Sequence, residues 1–173
     1  MDVKTCRLGW TSLLGIVVAL GCSSKPSDRS VTGEEDAVRE KFAELQSAIK
    51  SHDAERLWAL LDTRSRADAE RAAKNIQTAY NQAGAEEKAK QEEALGLSGT
   101  ELAKLDGKGF LKSKRFQKRY HEVRDGKIDK VVIQGENATV YFLEPDGDNE
   151  KAIFVRQEGQ WKTWLIMPKL SQP

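Results

Sequence analysis

The hydrophobic pattern of this chain changes its period once, at about residue 127. Before that point, apolar residues recur every three or four positions and predict amphipathic helices; the clearest stripe is Val38, Phe42, Leu45 and Ile49. After it, short runs of β-branched and aromatic residues alternate with turn sequences and predict strands at 128–134, 138–144, 151–157 and 161–167. Short links make consecutive strands antiparallel neighbours. The pattern therefore predicts an α+β fold, in which N-terminal helices pack on a C-terminal four-stranded antiparallel meander.

Capping residues and apolar stripes predict three separate helices in the first part of the chain before residue 127. Thr32 and Glu35 form a predicted capping box at the start of the first helix. Asp53 is the predicted cap of a second, short helix, because a carboxylate there can accept the free N–H groups of the first turn. A stripe made mostly of alanine predicts a third helix over residues 65–83.

The rest of the helical half has a less regular pattern. Gly107 and Gly109 predict a loop, and the apolar residues at 110–120 predict one more short helical segment. The helices and the sheet should share one core. The residues expected to be buried in it are Phe42, Leu45, Leu57, Trp58, Phe142, Phe154 and Trp164.

The first residues of the chain have the pattern of a secretory signal peptide. Lys4 and Arg7 precede a run without charge at 8–24. Positive residues stay on the cytoplasmic side of the membrane, and the apolar middle partitions into the bilayer. This run is shorter than the roughly 20 apolar residues that a spanning helix needs. A cleaved signal is therefore favoured over an uncleaved transmembrane helix.

The sequence ALGC at 19–22 resembles the lipobox of bacterial lipoproteins, in which an apolar and a small residue precede an invariant cysteine. The resemblance implies that Cys22 carries a diacylglycerol and that the peptide is cut before it. The chain would then comprise a lipoprotein signal peptide at 1–21, a lipidated tether at 22–31 and a single α+β domain at 32–170. The expected location is the cell envelope, anchored in a membrane by lipid and facing the periplasm or exterior. An ordinary cleaved signal with an incidental cysteine is the alternative.

Charge and cysteine content narrow the classes of function. Removing residues 1–21 takes away two of the 28 basic and one of the 27 acidic residues, which leaves 26 of each. General nucleic-acid binding needs a basic excess, so no nucleic-acid partner is expected. The basic stretch at 108–130 could face anionic headgroups, but a solvated helix face is the favoured interpretation. Because Cys6 is removed and Cys22 carries lipid, no internal disulfide is expected.

The stretch VREKFAELQSAIKSHDAERLWALLD at 38–62 resembles the opening helix pair of the cone-shaped superfamily named after nuclear transport factor two, and the C-terminal hairpins are similar too. In that superfamily a curved sheet and helices enclose a pocket, which ketosteroid isomerases and small polyketide cyclases use for catalysis. Residues 63–106 depart from the family pattern because they are longer and more helical than the usual middle. The resemblance implies a cone-like α+β domain, but such a fold does not by itself give a function.

No motif in the chain assigns a catalytic, cofactor-binding or metal-binding residue, so none is predicted. The isomerases need an acidic base and two oxyanion donors in an apolar site, and no such motif is recognisable. His52 and His121 are isolated from ligand cysteines and make no zinc signature. The acidic residues at 144–150 lack the alternating ligands of a calcium loop and predict a polar hairpin turn.

Two functions from different classes remain open. The favoured one is a lipid-anchored envelope protein whose domain is a non-catalytic binding or scaffolding module. Its partners would be the membrane and an unidentified small apolar ligand or envelope protein. The alternative is an isomerase-like or cyclase-like enzyme with a pocket inside the cone. Its first candidate residues would be Tyr141 and Arg156, completed by Asp53 or Asp62 from the helix ends.

Overall fold

A computed structural model describes the protein over residues 31–168, with side chains from Gly33 onward. Within this range, seven α-helices and one 3-10 helix precede a four-stranded antiparallel sheet. The predicted α+β class, with the helices first, is confirmed. None of the helices in this range is both long enough and apolar enough to cross a membrane. The predicted signal peptide, Cys22, most of the tether and the last residues of the predicted domain lie outside the described range.

Side-chain caps set several of the helix boundaries. The helices are α1 (Val31–Lys50), α2 (Ala54–Leu60), α3 (Thr63–Gln82), α4 (Ala85–Leu95), α5 (Gly99–Leu102), α6 (Gly107–Lys112), α7 (Lys114–Tyr120) and the 3-10 helix η1 (Glu122–Asp125). Asp53 caps α2 as predicted, because its carboxylate accepts the N–H of Arg56 at 3.0 Å. Ser98 and Glu101 form a capping box at the start of α5. The side chain of Thr32, the predicted cap of α1, lies outside the described residues.

The segment after α5 differs from its prediction. Gly107 and Gly109 lie at the start of α6 rather than in a loop. The carboxylate of Asp106 caps this helix by accepting the N–H of Gly109 at 2.7 Å. The predicted single segment at 110–120 is divided between α6 and α7. Ser113 causes the break, because it ends α6 and its hydroxyl caps α7.

The four strands pair in sequence order, each antiparallel to the next. They are β1 (Lys127–Gln134), β2 (Asn137–Leu143), β3 (Asn149–Gln157) and β4 (Gln160–Trp164). A register shift in β1 leaves Asp129 unpaired, as in a β-bulge. β4 ends three residues before the predicted boundary. Just past its end, the N–H of Leu165 donates to the hydroxyl of Ser65 at 2.9 Å instead of to a neighbouring strand.

The segment between α2 and α3 covers the outer edge of β4. Leu61 forms a parallel bridge with Thr163, and the N–H of Asp62 donates to the carbonyl of Thr163 at 2.9 Å. The buried carboxylate of Asp62 accepts the N–H of Ser65 at 2.8 Å and caps α3. The Ser65 hydroxyl donates in turn to the carbonyl of Leu165 at 3.2 Å. These bonds fix the start of α3 to the end of the sheet.

The main core lies between α1 and the inner face of the sheet. The predicted stripe of α1 is buried along its whole length, at Val38, Phe42, Leu45 and Ile49. The ring centres of Phe42 and Phe142 lie 5.2 Å apart, which joins α1 to β2. Leu57 from α2 and Phe154 from β3 are buried in the same cluster. The core prediction is confirmed for these residues.

The two tryptophans predicted in the core lie elsewhere. Trp58 is only partly buried and packs against the margin of the core. Trp164 lies on the outer side of the sheet, where the guanidinium of Arg64 is 4.9 Å from its ring centre. Trp161 is buried instead. Because successive side chains of a strand alternate between faces, two tryptophans three positions apart must face opposite ways.

Candidate functional site

Tyr141 and Arg156, the first candidates for a reaction, lie on opposite faces of the sheet. Tyr141 points outward, is 37% exposed and has the ammonium of Lys130 at 4.8 Å from its ring centre. Arg156 lies on the inner face, which packs against the helices. Asp53 and Asp62 are used as caps of α2 and α3. The fold does not assemble these four residues into one site.

Arg156 has a structural role that its contacts explain. Its Nη2 atom donates to the carboxylate of Glu34 at 2.8 Å, which ties the first turn of α1 to β3. Its Nε atom lies 3.6 Å from a carboxylate oxygen of Glu136, in the β1–β2 turn. The guanidinium also lies 4.5 Å from the ring centre of Trp161. Two acids and an aromatic face therefore hold this cation in place.

The two histidines sit at separate helix ends. His52 follows α1 in the left-handed backbone region, with φ 55°, and its side chain is exposed. His121 follows α7, and its Nδ1 atom lies 2.9 Å from the carbonyl oxygen of Lys118. It too is exposed. These are the positions expected of side chains that end helices.

The basic stretch at 108–130 is divided among α6, α7, η1 and β1. The ammonium of Lys108 pairs with Glu55 at 2.7 Å, and the guanidinium of Arg124 pairs with Asp125 at 2.7 Å. Ion pairs of this kind on several elements are typical of a solvated surface.

The structure brings together three carboxylates that are distant in sequence. Oxygen atoms of Glu122, Glu144 and Asp146 all lie within 4.8 Å of one another. Two come from the acidic turn after β2, whereas Glu122 comes from η1. The sequence shows the acidity of the turn but carries no signal that a third carboxylate joins it. Oxygen ligands of this type suit hard cations, yet acidic groups also cluster on surface turns where no ion binds.

Glu144 is the unusual member of the cluster. The residue is only 8% exposed. Burial is the main cause that raises the pKa of its carboxyl group to about 7, and the negative charge of Glu122 is the next. Glu150 and Asp146 add smaller repulsions in the same direction. The carboxyl of Glu144 therefore holds a proton at a pH where an exposed glutamate does not.

Replacing Glu144 with glutamine should stabilise the fold at pH 8 and change little at pH 5. The folded protein binds this proton more tightly than the unfolded chain, so the stability it contributes is present at acid pH. That stability is lost as the pH rises through about 7. Glutamine cannot ionise and avoids the loss. Urea midpoints of Glu144→Gln and wild type at both pH values test this. The exposed Glu40→Gln on α1 is the control, and equal shifts for the two variants would contradict the assignment.

The outward residues of the four strands form a surface that we call the outer sheet face. Its central row runs across all four strands, as Val132, Thr139, Ile153 and Trp164. The row beside it is Lys130, Tyr141 and Lys151. Two of its large apolar side chains, Val132 and Tyr141, are exposed. This face therefore presents apolar and basic groups together.

Nearly fully buried side chains occupy the space between α1 and the sheet. Phe42, Phe142 and Phe154 are each at most 2% exposed. A surface cleft of about 170 Å³ lies at α5 and α6, lined by Leu97, Glu101, Lys104, Leu105, Asp106, Gly109 and Lys112. Ligand pockets usually measure about 300–1,000 Å³. In comparisons with known proteins, no family model, no curated protein and no solved structure matched the chain.

Proposed function

We propose that this chain is a lipid-anchored protein of the cell envelope, facing the periplasm or exterior. The observation that carries the proposal is the ALGC sequence at 19–22, which ends an apolar run behind Lys4 and Arg7. A diacylglycerol on Cys22 would supply two acyl chains. One chain holds a protein only marginally, whereas two hold it stably.

The domain beyond the tether is proposed to bind or scaffold rather than to catalyse. A cone-like arrangement, implied by the resemblance at 38–62, would place an active site between α1 and the sheet. Phenylalanine side chains occupy that space instead. Tyr141 and Arg156, which an isomerase-like reaction would have used, lie on opposite faces. These observations favour a module that acts through its surface, toward an envelope protein or a small apolar ligand.

Substitution of Cys22 with alanine should abolish lipidation. The thiol is the group that the lipid is joined to, so Cys22→Ala should remain uncleaved or lack acyl mass. Wild-type protein extracted from the membrane fraction should begin at Cys22 and carry the mass of its lipid. Intact-mass spectrometry of both proteins measures this directly.

Cys6→Ala provides a matched control, because Cys6 lies in the segment that the signal peptidase removes. This variant should yield the same mature mass as wild type. A mature protein that begins elsewhere, or that carries no acyl mass at Cys22, would contradict the proposed anchor.

A further inference from the structure

The exposed apolar side chains of the domain are concentrated on one surface. Among the described residues, the large apolar side chains with the greatest exposure are Val132 at 36%, Tyr141 at 37%, Leu143 at 42% and Ile166 at 63%. The first three belong to the outer sheet face by strand alternation. Ile166 lies just past the end of β4 and follows the buried Leu165. Exposed apolar groups collected on one face mark an interaction surface.

The charged side chains at the paired positions of the outer sheet face are all positive. Its outward paired positions include four lysines and no acidic residue, the lysines being Lys127, Lys130, Lys151 and Lys162. Arg64 extends over the face from α3 and stacks on Trp164 at 4.9 Å. Asp129 lies in the bulge of the edge strand, outside the paired rows. Lys162 donates to the carbonyl of Ala59 at 3.0 Å and so sits at the margin.

We propose that the outer sheet face lies on the anionic phospholipid surface of the bilayer that holds Cys22. This inference rests on the proposed lipid anchor. Tyrosine and tryptophan prefer the headgroup region of a membrane, and lysines are attracted to anionic lipids. Tyr141 and Trp164 lie on this face with basic groups against their rings, at Lys130 and Arg64. The face therefore has both components that an anionic interface binds.

The length of the tether keeps the face within reach of the bilayer. Eight residues, 23–30, lie between the lipidated position and the start of α1, so nine residue steps join Cys22 to Val31. An extended chain spans at most about 3.3–3.6 Å per residue, or roughly 30 Å for this tether. Glu34 in the first turn of α1 pairs with Arg156 on the inner face, so the tether has to pass around the end of the sheet to bring the outer sheet face to the bilayer. A second copy of the chain fits this face less well, because it would bring two sets of lysines together.

The test uses mature, lipidated protein in vesicles, with an environment-sensitive fluorophore attached at Tyr141→Cys. Vesicles of phosphatidylcholine alone are compared with vesicles that also contain phosphatidylglycerol. We expect the emission to shift to the blue only in the anionic vesicles and to return in high salt, because salt screens exposed charges. The same fluorophore at Asn81→Cys, an exposed position on α3, should show no shift.

Charge variants identify the residues responsible. Lys130→Glu with Lys151→Glu should remove the blue shift at position 141. Lys74→Glu with Lys104→Glu, which changes two exposed lysines outside the sheet, should leave it unchanged. The comparison of low and high salt is made on protein that keeps all of its lysines. Its result therefore does not depend on how the charge variants fold.

The outcomes separate this inference from the proposed anchor. Absence of acyl mass at Cys22 would overturn both. Acylated protein whose label at 141 behaves like the label at 81 would overturn the docking alone. A shift that is equal in neutral and anionic vesicles, or that grows with the density of protein on the vesicle, would assign the face to a different occupant, such as a second copy.

Discussion

Phe42→Ala should lower the free energy of unfolding by about 3–5 kcal/mol. The side chain is fully buried, and its ring lies 5.2 Å from that of Phe142, so it joins α1 to the sheet. Truncation removes this contact and leaves a cavity between two layers that cannot fully collapse. Domains of this size are stable by only about 5–15 kcal/mol, so the effect is a large part of the total. Urea unfolding followed by circular dichroism measures it.

Leu143→Ala is the matched control for Phe42→Ala. Leu143 follows Phe142 on the same strand but is 42% exposed on the outer sheet face. Its truncation should cost less than about 1 kcal/mol, as most surface substitutions do. If the two variants unfolded at the same urea concentration, the assignment of the core to the inner face would be wrong.

Ser65→Ala should cost about 2–6 kcal/mol, although it removes a single oxygen atom. Ser65 is fully buried, and its hydroxyl is hydrogen-bonded to both backbone groups of Leu165. It donates to the carbonyl at 3.2 Å and accepts the N–H at 2.9 Å. Alanine leaves both groups without this partner, and each unsatisfied buried group costs about 1–3 kcal/mol.

The Leu165 amide gives Ser65→Ala a local readout. Its hydrogen exchange should accelerate in the variant, beyond the general increase that lower stability causes. Ser51→Ala is the control, because the Ser51 hydroxyl also donates to a backbone carbonyl, that of Ser47 at 2.9 Å, but is exposed. A Ser65→Ala midpoint no lower than that of Ser51→Ala would rule out the proposed bridge.

Features that depend on neighbouring residues could be predicted from the sequence. The apolar spacing of α1 and the cap at Asp53 both act within a few positions of the chain, and both are confirmed. The four strands are separated by strong turn sequences, so their order and pairing also followed. In contrast, the helix at Gly107 depends on Asp106 outweighing the two glycines, a balance that composition alone does not reveal.

The sequence was a poorer guide to which face of an element is buried. β4 and the residues after it contain Trp161, Trp164 and Ile166, and apolar content alone does not choose between the two faces. The structure buries Thr163 to 1% exposure and leaves Trp164 outside. The contacts of Thr163 with the segment before α3 explain this choice. They join residues about 100 positions apart.

The acidic cluster and the outer sheet face could not be predicted from the sequence for the same reason. Glu122 belongs to η1 and Glu144 follows β2, so their carboxylates meet only in the folded chain. The basic and apolar rows of the outer sheet face arise from the register of four strands, which includes the shift at Asp129. In the linear sequence, Lys130 and Lys151 are 21 positions apart and belong to different charge environments. Their place on either side of Tyr141 appears only once the strands pair.

The two edge strands of the sheet, β1 and β4, are both protected against the addition of further strands. At high protein concentration, an open strand edge can recruit further strands into fibres. Leu61 and Asp62 block this growth at β4. At β1, the bulge at Asp129 and the charges of Lys127 and Lys130 oppose it. Both edges of the sheet therefore resist the addition of a strand from another copy of the chain.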